Sequence, residues 1–519
     1  MDIWMTLRKA RDLYPDKIAV VDGDRSFTYA RIGDRVNSLA RFFQTRAIQP
    51  RDRISILEVN SLAFLETYYA AAGIGAILNP LNYRLASKEI AFILRDSGSR
   101  WLVAGSRFAS LVKGILAEDT PLEGIVWIGD PPTFYQDTAS YEYEDAIRTH
   151  AGLFKPVTMR EDDVAHLYYT SGTTGRPKGV MLTHKNVCLH ALGTIAELKL
   201  TDGDIWGHIA PMFHLADAWA AFAITWVGGR HVMVAQFEAE AVMATIEKER
   251  ISLSNMIPTM LNLMIKHPKI GEFDFSSLRV ILSGGAPIAP EIVRSIMEAF
   301  GCDYIQTYGM TETSPYLTFS IIKRHLQDLS LEDQFKYKSK TGRPFMGVDL
   351  KVVDEEGNPV EADDTQVGEI WVRGDTVTPG YWNLEKETEQ AFSNGWLRTG
   401  DLAVVDTEGY VNIVDRKKDM IVTGGENVYS TEVENVLYMH PMVLEAAVFS
   451  IPDEKWGEAV AAAVVLKKNK SATELEMIRF CKEHQASYKA PKSILFLEEL
   501  PKTGSGKIYK KALRDPYWK

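Results

Sequence analysis

Stretches with apolar residues at helical spacing alternate along this chain with short apolar runs, and that alternation restricts the fold to the α/β class. SFTYARIGDRVNSLARFFQ repeats its apolar residues at intervals of three and four after Thr28, DRISILEVNS reads as a short strand, and LAFLETYYAAAGIGA returns to helix. From Arg343 the pattern changes. GVDLKVVDEEGNPV, GEIWVRGD and GYVNIVDR are short β-rich runs with EGN and DTEG turn signals, as in a small barrel or meander. A third piece starts near Lys418, where GGENVYSTEVENVLYMH, AAVFSIPD, EAVAAAVVLKK and ELEMIRFCKEH suggest a compact α+β unit of about 100 residues. The hydrophilic DRKKD, Asp415 to Asp419, is the linker between it and what precedes.

A chain of 519 residues can bury a large core and is long enough for roughly two to four domains. With 46% hydrophobic and 24% charged residues it sits in the ordinary globular range, and no repeat of fixed period interrupts it. The N-terminal MDIWMTLRKARDLYPDK has no apolar core of signal-peptide length. The longest apolar run, Tyr68 to Leu78, is shorter than the ~20 residues that a membrane span needs. A soluble, cytoplasmic protein is expected, with peripheral membrane contact left open. Cys188, Cys302 and Cys481 are far apart and form no CxxC, which argues against a disulfide framework or a zinc site and for buried free thiols. The formal net charge of −11 argues against a general nucleic-acid binder. The last sixty residues run the other way, with 13 Lys and Arg against 6 Asp and Glu. Such a basic end suits either a polyanionic ligand or a solvated surface.

One stretch carries chemistry. In YYTSGTTGRPKGVMLTH, Tyr168 to His184, strand-like flanks enclose glycines, hydroxyls and a lysine. Glycines let a backbone approach an anion, hydroxyls and amides donate to it, and Lys178 adds positive charge, so phosphate is the natural guest. The familiar G-x-x-x-x-G-K-[ST] phosphate loop is not met, because Pro177 precedes Lys178 and Gly179 follows it. The proline also disfavours immediate entry into a helix, which makes the loop hairpin-like.

Further stretches keep it company: PMFH (Pro211 to His214), SGGAP (Ser283 to Pro287), QTYGMTET (Gln306 to Thr313), WLRTGD (Trp396 to Asp401), DRKKDMIVTGGENVYSTEVE (Asp415 to Glu434) and PKTGSGKI (Pro501 to Ile508). Seven such motifs in order, over nearly the whole length, resemble the adenylate-forming superfamily that contains acyl-CoA synthetases, the adenylation domains of nonribosomal peptide synthetases and beetle luciferases. The resemblance implies an AMP-forming acyl-CoA synthetase. Its large N-terminal domain would span 1–415, with α/β sheets and a β-barrel-like part at about 343–415, and a small mobile α+β lid would span 416–519. A carboxylate attacks the α-phosphorus of ATP, pyrophosphate leaves, and the thiol of coenzyme A then displaces AMP. The task is to bring an anion up to a polyanion, which is positional and electrostatic work.

By the same resemblance, Thr170, Ser171, Gly172, Thr173, Thr174, Gly175 and Lys178 wrap the β- and γ-phosphates, and Thr311 touches the α-phosphate. Glu312 holds Mg2+, an ion that takes oxygen ligands and shares them with phosphates and water. Gly284, Gly285, Ala286 and Pro287 form the adenine slot with Tyr308, and Gln306 meets the adenine edge amid Thr307, Gly309 and Met310. Asp401 takes the ribose hydroxyls beside the donor Arg416. Lys507 bridges the incoming carboxylate and the α-phosphate. Lys418 is the hinge about which the lid turns, after which the motif around Gly425 serves thioester formation.

His214 and Trp219 lie on the expected acyl pocket. HLADAWAAFAITW is rich in small apolar and aromatic residues and offers no obvious partner for a substrate ammonium, Asp217 being the exception to examine. A medium- or long-chain fatty acid is therefore expected, with an aromatic or alicyclic carboxylate as the alternative. No carrier-protein segment follows Lys519, so a stand-alone CoA ligase is expected, although a basic C-terminal end would also suit an acidic acyl carrier protein. Monomer and homodimer stay open.

Overall fold

The structure, a computed structural model, describes residues 1–133, 138–170, 176–285, 288–502 and 508–518. The chain divides into two compact units. The first comprises Met1–Asp349 and Val372–Leu397, the second Leu350–Trp371 and Arg398–Lys519, so the stretch 343–415 is shared between them.

The first unit is built on two sheets. Several of its helices begin where short polar side chains cap free backbone amides. Thr28 accepts from the Arg31 amide at 3.3 Å to start α1 (Tyr29–Thr45), and Ser61 accepts from the Phe64 amide at 3.3 Å to start α2 (Leu62–Ile74). Every residue of α2 is buried, so the long apolar run is a core helix leading into a buried strand, Ile77–Pro80. No helix among the described residues is long and apolar enough to cross a membrane. Cys188, Cys302 and Cys481 are buried free thiols.

In the seven-stranded sheet the strand order from one edge is Ala139–Glu142, Gly124–Ile128, Ser99–Gly105, Arg53–Leu57, Ile77–Pro80, β1 (Val164–Thr170) and β2 (Lys178–Thr183). All neighbours are parallel except β1 and β2, which form an antiparallel hairpin at the edge. The nine-stranded sheet has a parallel centre. Ile205–His208 lies between Arg230–Met233 and Leu253–Asn255, and α3 (Leu215–Val227) connects the first two of these strands. The sheet continues through β3 (Val280–Gly284) to β4 (Asp303–Gly309), after which antiparallel Tyr316–Phe319 closes the edge with Arg343–Pro344. Helices of 3.6-residue period cover these parallel strands, as α/β order requires.

The second unit contains β5 (Trp396–Val405, which begins in the first unit's last residues) and antiparallel β6 (Val411–Arg416). It also holds a five-stranded sheet around Val443–Asp453 and Gly457–Leu466. Against that sheet packs α4 (Ser430–Met439), whose Val433, Val436 and Leu437 enter one apolar cluster with Val448, Val460 and Ala462. The last helix is the short α5 (Lys510–Arg514).

Candidate active site

β1 ends at Thr170 and β2 begins at Lys178, and the two residues face each other across the hairpin. Ser171, Gly172, Thr173, Thr174 and Gly175 between them lie outside the described residues. What anchors the hairpin is visible. The hydroxyls of Tyr168 and Tyr68 are 2.6 Å apart, and Tyr68 donates to the Met212 carbonyl at 3.0 Å. The Met212 amide donates to Asn60 Oδ1 at 2.7 Å, and the Asn60 amide nitrogen donates to the His208 and Ala210 carbonyls, each at 2.8 Å. The strand entering the loop is thus tied to the PMFH turn by two side chains, Tyr68 and Asn60, that no motif contains.

β3 and β4 run in parallel beside each other, with Gly284 opposite Thr307. A Cβ on Gly284 would lie 2.4 Å from the Thr307 carbonyl oxygen and one on Gly309 1.9 Å from that of Pro315, so only glycine fits either place. Gly285 follows Gly284 at the surface, and Ala286 and Pro287 lie outside the described residues. Strand alternation puts Tyr304, Gln306 and Tyr308 on one face of β4. Gln306 and Thr307 are buried, whereas Tyr308, Gly309 and Met310 are half-buried. The Tyr304 hydroxyl donates to Gln306 Oε1 at 2.5 Å, which fixes which way that amide is turned.

After β4 the chain makes one 3-10 turn, Thr311–Thr313, closed by the Met310 amide donating to the Pro315 carbonyl at 3.0 Å. Thr311 is half-buried and Glu312 is buried. The Glu312 carbonyl accepts from the Thr378 amide at 2.7 Å, and its carboxylate Oε1 accepts from the Tyr381 hydroxyl at 2.9 Å. On the other side of this tyrosine, Lys178 Nζ stands 5.1 Å from the ring centroid, within the reach of a cation–π contact. Burial, reinforced by the Glu312 carboxylate, pushes the Tyr381 hydroxyl well above the usual phenol range, so it remains a neutral donor. The same segment holds the hairpin by its backbone, with the Trp382 amide donating to the Gly179 carbonyl at 2.7 Å and the Met181 amide to the Gly380 carbonyl at 3.1 Å. Tyr381 escaped the sequence reading because nothing in the spacing of G-Y-W-N distinguishes it from an ordinary turn.

On the acyl side His214 is the N-cap of α3, its Nδ1 accepting from the Ala216 amide at 3.2 Å. Trp219 is buried, donates from Nε1 to the Tyr316 hydroxyl at 2.8 Å and packs edge-on against Trp206 with centroids 4.8 Å apart. Asp217, the residue singled out as a partner for a substrate ammonium, is committed elsewhere. It is fully buried, accepts from Trp206 Nε1 at 3.1 Å and stands 2.5 Å from His208 Nδ1. From there the chain of contacts continues through His231 to the Thr225 hydroxyl. A carboxylate so enclosed balances its own core network.

In the second unit Asp401 on β5 and Arg416 at the end of β6 face each other, with Oδ1 and Nε 3.1 Å apart; the carboxylate is buried and the guanidinium exposed. Lys418 lies in the turn after β6, and its carbonyl accepts from Arg514 Nη1 of α5 at 3.2 Å. Gly425 is exposed in the turn between Ile421–Thr423 and Glu426–Val428, at φ +87°. Lys507 lies outside the described residues. Three residues on, Lys510 reaches Glu434 Oε1 at 2.7 Å and Ser430 Oγ at 2.6 Å, and Ser430 in turn donates to Asp415 Oδ1 at 2.9 Å. Burial raises the Asp415 and Glu434 carboxyls above their usual range, and Lys510 opposes that shift in both.

No group of three or more His, Cys, Asp or Glu side chains among the described residues could hold a metal by itself. Glu312 does fit Mg2+, because this ion ordinarily takes one or two protein carboxylates and completes its shell with phosphates and water. The Tyr381 donor holds one of its carboxylate oxygens in place.

Comparison with known proteins identifies the family. The AMP-binding enzyme family matches residues 7–382, and the AMP-binding enzyme C-terminal domain matches 432–507. The long-chain-fatty-acid–CoA ligase FadD13 of Mycobacterium tuberculosis is 35% identical over 517 residues, covering 99% of this chain and 98% of that protein. A feruloyl-CoA synthase of Amycolatopsis sp is 35% identical over 509 residues, covering 98% and 97%. The crystal structure of the anthranilate CoA ligase AuaEII in complex with anthranoyl-AMP superposes with a TM-score of 0.89 at 27% identity, covering 100% of this chain and 97% of that one. The chain belongs to the AMP-binding enzyme family, as an AMP-forming acyl-CoA synthetase of the adenylate-forming superfamily.

Proposed function

We propose that the enzyme joins a medium- or long-chain fatty acid to coenzyme A through an acyl-adenylate. The observation that carries this reading is the commitment of Asp217. It is the only charged residue of α3, and with both carboxylate oxygens engaged by Trp206 and His208 it has nothing to offer a substrate ammonium. The rest of α3 is chiefly alanine, aromatic and branched aliphatic in composition and largely buried, an apolar setting that favours an apolar acyl group.

In this reading Thr170 and Lys178, with Ser171 to Gly175, receive the β- and γ-phosphates of ATP. Gly284, Gly285 and Tyr308 take the adenine, Gln306 its edge, and Asp401 with Arg416 the ribose. Thr311 donates to the α-phosphate. Glu312 holds Mg2+, which when bound supplies positive charge to the phosphate oxygens. Lys507 brings its ammonium between the two reacting anions, so that the carboxylate attacks the α-phosphorus and pyrophosphate departs. The residues from 416 to 519 then act as a lid turning at Lys418, so that the Gly425 turn replaces the Lys507 loop and the CoA thiol displaces AMP.

A second reading has its own support. Two of the relatives above are named for aromatic acids, and the Trp219–Tyr316 hydrogen-bonded pair adds aromatic character to this side of the protein. The test is to score AMP release from octanoate, palmitate, ferulate, benzoate and cyclohexanecarboxylate, each with CoA, with an acyl carrier protein, and with neither. Octanoate or palmitate should give the highest kcat/KM, with CoA required for turnover. A higher kcat/KM for ferulate or benzoate would replace the fatty-acid reading with the aromatic one, and turnover with the carrier protein alone would replace CoA as acceptor.

A further inference from the structure

We infer that Tyr381 is a positioning residue for adenylation, holding the Glu312 carboxylate by its hydroxyl and the Lys178 ammonium by its ring face. The inference deepens the proposed function and rests on its assignment of Glu312 to Mg2+.

The two charges that Tyr381 touches come from different sheets. Lys178 opens β2 of the seven-stranded sheet, and Glu312 follows β4 of the nine-stranded one. β2 lies against the Glu312 turn, so the two charges stand near each other and their side chains must be held in register. A phenol is suited to holding them, because its hydroxyl end is a donor for a carboxylate while its π-face is negative and attracts a cation. Tyr381 uses both ends at once, at 2.9 Å from Glu312 Oε1 and 5.1 Å from Lys178 Nζ.

The backbone that carries the ring is held firmly. Val180 bridges to Tyr381 through the backbone, the Tyr381 amide donates to Thr388 Oγ1 at 3.0 Å, and the Trp382 indole donates to the Asp96 carbonyl at 3.1 Å. Nearby, Ser314 Oγ donates to the Thr376 carbonyl at 2.8 Å, and Asn186 Nδ2 donates to the Asp375 and Val377 carbonyls at 2.8 and 3.0 Å. Residues 375–382 therefore form a strap across the hairpin and the Glu312 turn, and among the described residues Tyr381 is a side chain that contacts both charges. A side chain serving only the core would not need its hydroxyl on the metal-binding carboxylate. The arrangement matches the general pattern in which an outer hydrogen bond orients a carboxylate for its ion.

The experiment measures acyl-adenylate formation by the full chain against Mg2+ concentration at saturating ATP and acid, for the wild type, Tyr381→Phe, Tyr381→Leu and Glu312→Gln, with Tm recorded for each. Tyr381→Phe keeps the ring and loses only the hydroxyl. It should raise the Mg2+ needed for half-maximal rate by about 10-fold, the lower end of the effect of losing an outer partner, with the rate largely restored at saturating Mg2+ and the KM for ATP little changed. Tyr381→Leu, which also removes the face under Lys178, should in addition raise the KM for ATP. A Tyr381→Phe enzyme with wild-type Mg2+ dependence, beside a Glu312→Gln enzyme whose dependence has shifted, overturns the role of Tyr381 and leaves that of Glu312 standing. An unshifted Glu312→Gln overturns both. A rate loss in Tyr381→Phe that no Mg2+ concentration repairs, accompanied by a fall in Tm, makes the tyrosine merely structural.

Discussion

Gly309 closes the turn that carries Glu312, and its replacement tests how closely that turn is specified. In Gly309→Ala the added methyl would meet the Pro315 carbonyl at 1.9 Å, a backbone atom that cannot swing aside. The turn must shift, at a cost of about 1–3 kcal/mol typical of forced overpacking, and adenylation should fall by more than stability does. Calorimetry and an AMP-release assay on the same preparation check both. Lys507→Ala should reduce adenylation by about 10^2 to 10^3-fold, the scale for removing one transition-state stabiliser. Thioester formation from supplied acyl-adenylate should be spared, and equal loss in both half-reactions would reject the assigned role. Single residues drew a role from the sequence only where a motif surrounded them. Glu312 stood out through Y-G-M-T-E-T, but Asp217 looked available to a substrate until its contacts with Trp206 and His208 were seen.

At the scale of elements the reading was stronger, since local chemistry sets where helices and strands begin. Thr28 and Ser61 cap the helices that the apolar spacing indicated, and the strand-like flanks of the glycine-rich stretch are β1 and β2. Less visible was how the end of the chain is fastened. α5 is five residues long and too short to be stable alone. It is held by Lys510 between Ser430 and Glu434 and by Arg514 on the Lys418 carbonyl, so the stretch following Lys507 is tied to the segment assigned as the hinge. Lys510→Met would leave Asp415 and Glu434 buried without their cation, a loss of about 3–5 kcal/mol for a broken buried pair. Both carboxyls already have raised folded-state values, which means that their stability contribution declines as pH rises and recovers as they protonate. The deficit of Lys510→Met, measured by denaturant unfolding, should therefore be larger at pH 8 than at pH 5.

Across the whole molecule the buried histidines set the acid limit. Burial lowers His166 and His190 to about 3 and His184 to about 4, and pushes His231 well below its ordinary 6.5. Each is neutral when folded and binds a proton on unfolding, so the stability it contributes is fully present above about pH 6.5 and is lost as pH falls toward the folded value. Between pH 7 and 5.5 each should cost about 1 kcal/mol. A Tm profile should therefore decline below pH 6.5, before exposed carboxylates titrate. His166 stacks on Phe222 with centroids 5.4 Å apart, so His166→Phe should flatten the decline while keeping the ring contact.

The sequence by itself determined the α/β order, the hairpin flanking the glycine-rich stretch and the family, because capping, periodicity and contiguous motifs are local properties that survive in a linear string. Only the tertiary structure decided which side chains act on one another. Tyr381 meets Glu312 across 69 residues of sequence and Lys178 across a longer span, and Asp217 is used up by a tryptophan and a histidine from a neighbouring strand. Such partnerships depend on where separate strands and turns come to lie beside each other. Hydrogen bonds and ring contacts act over a few ångströms, so no spacing along the chain records them.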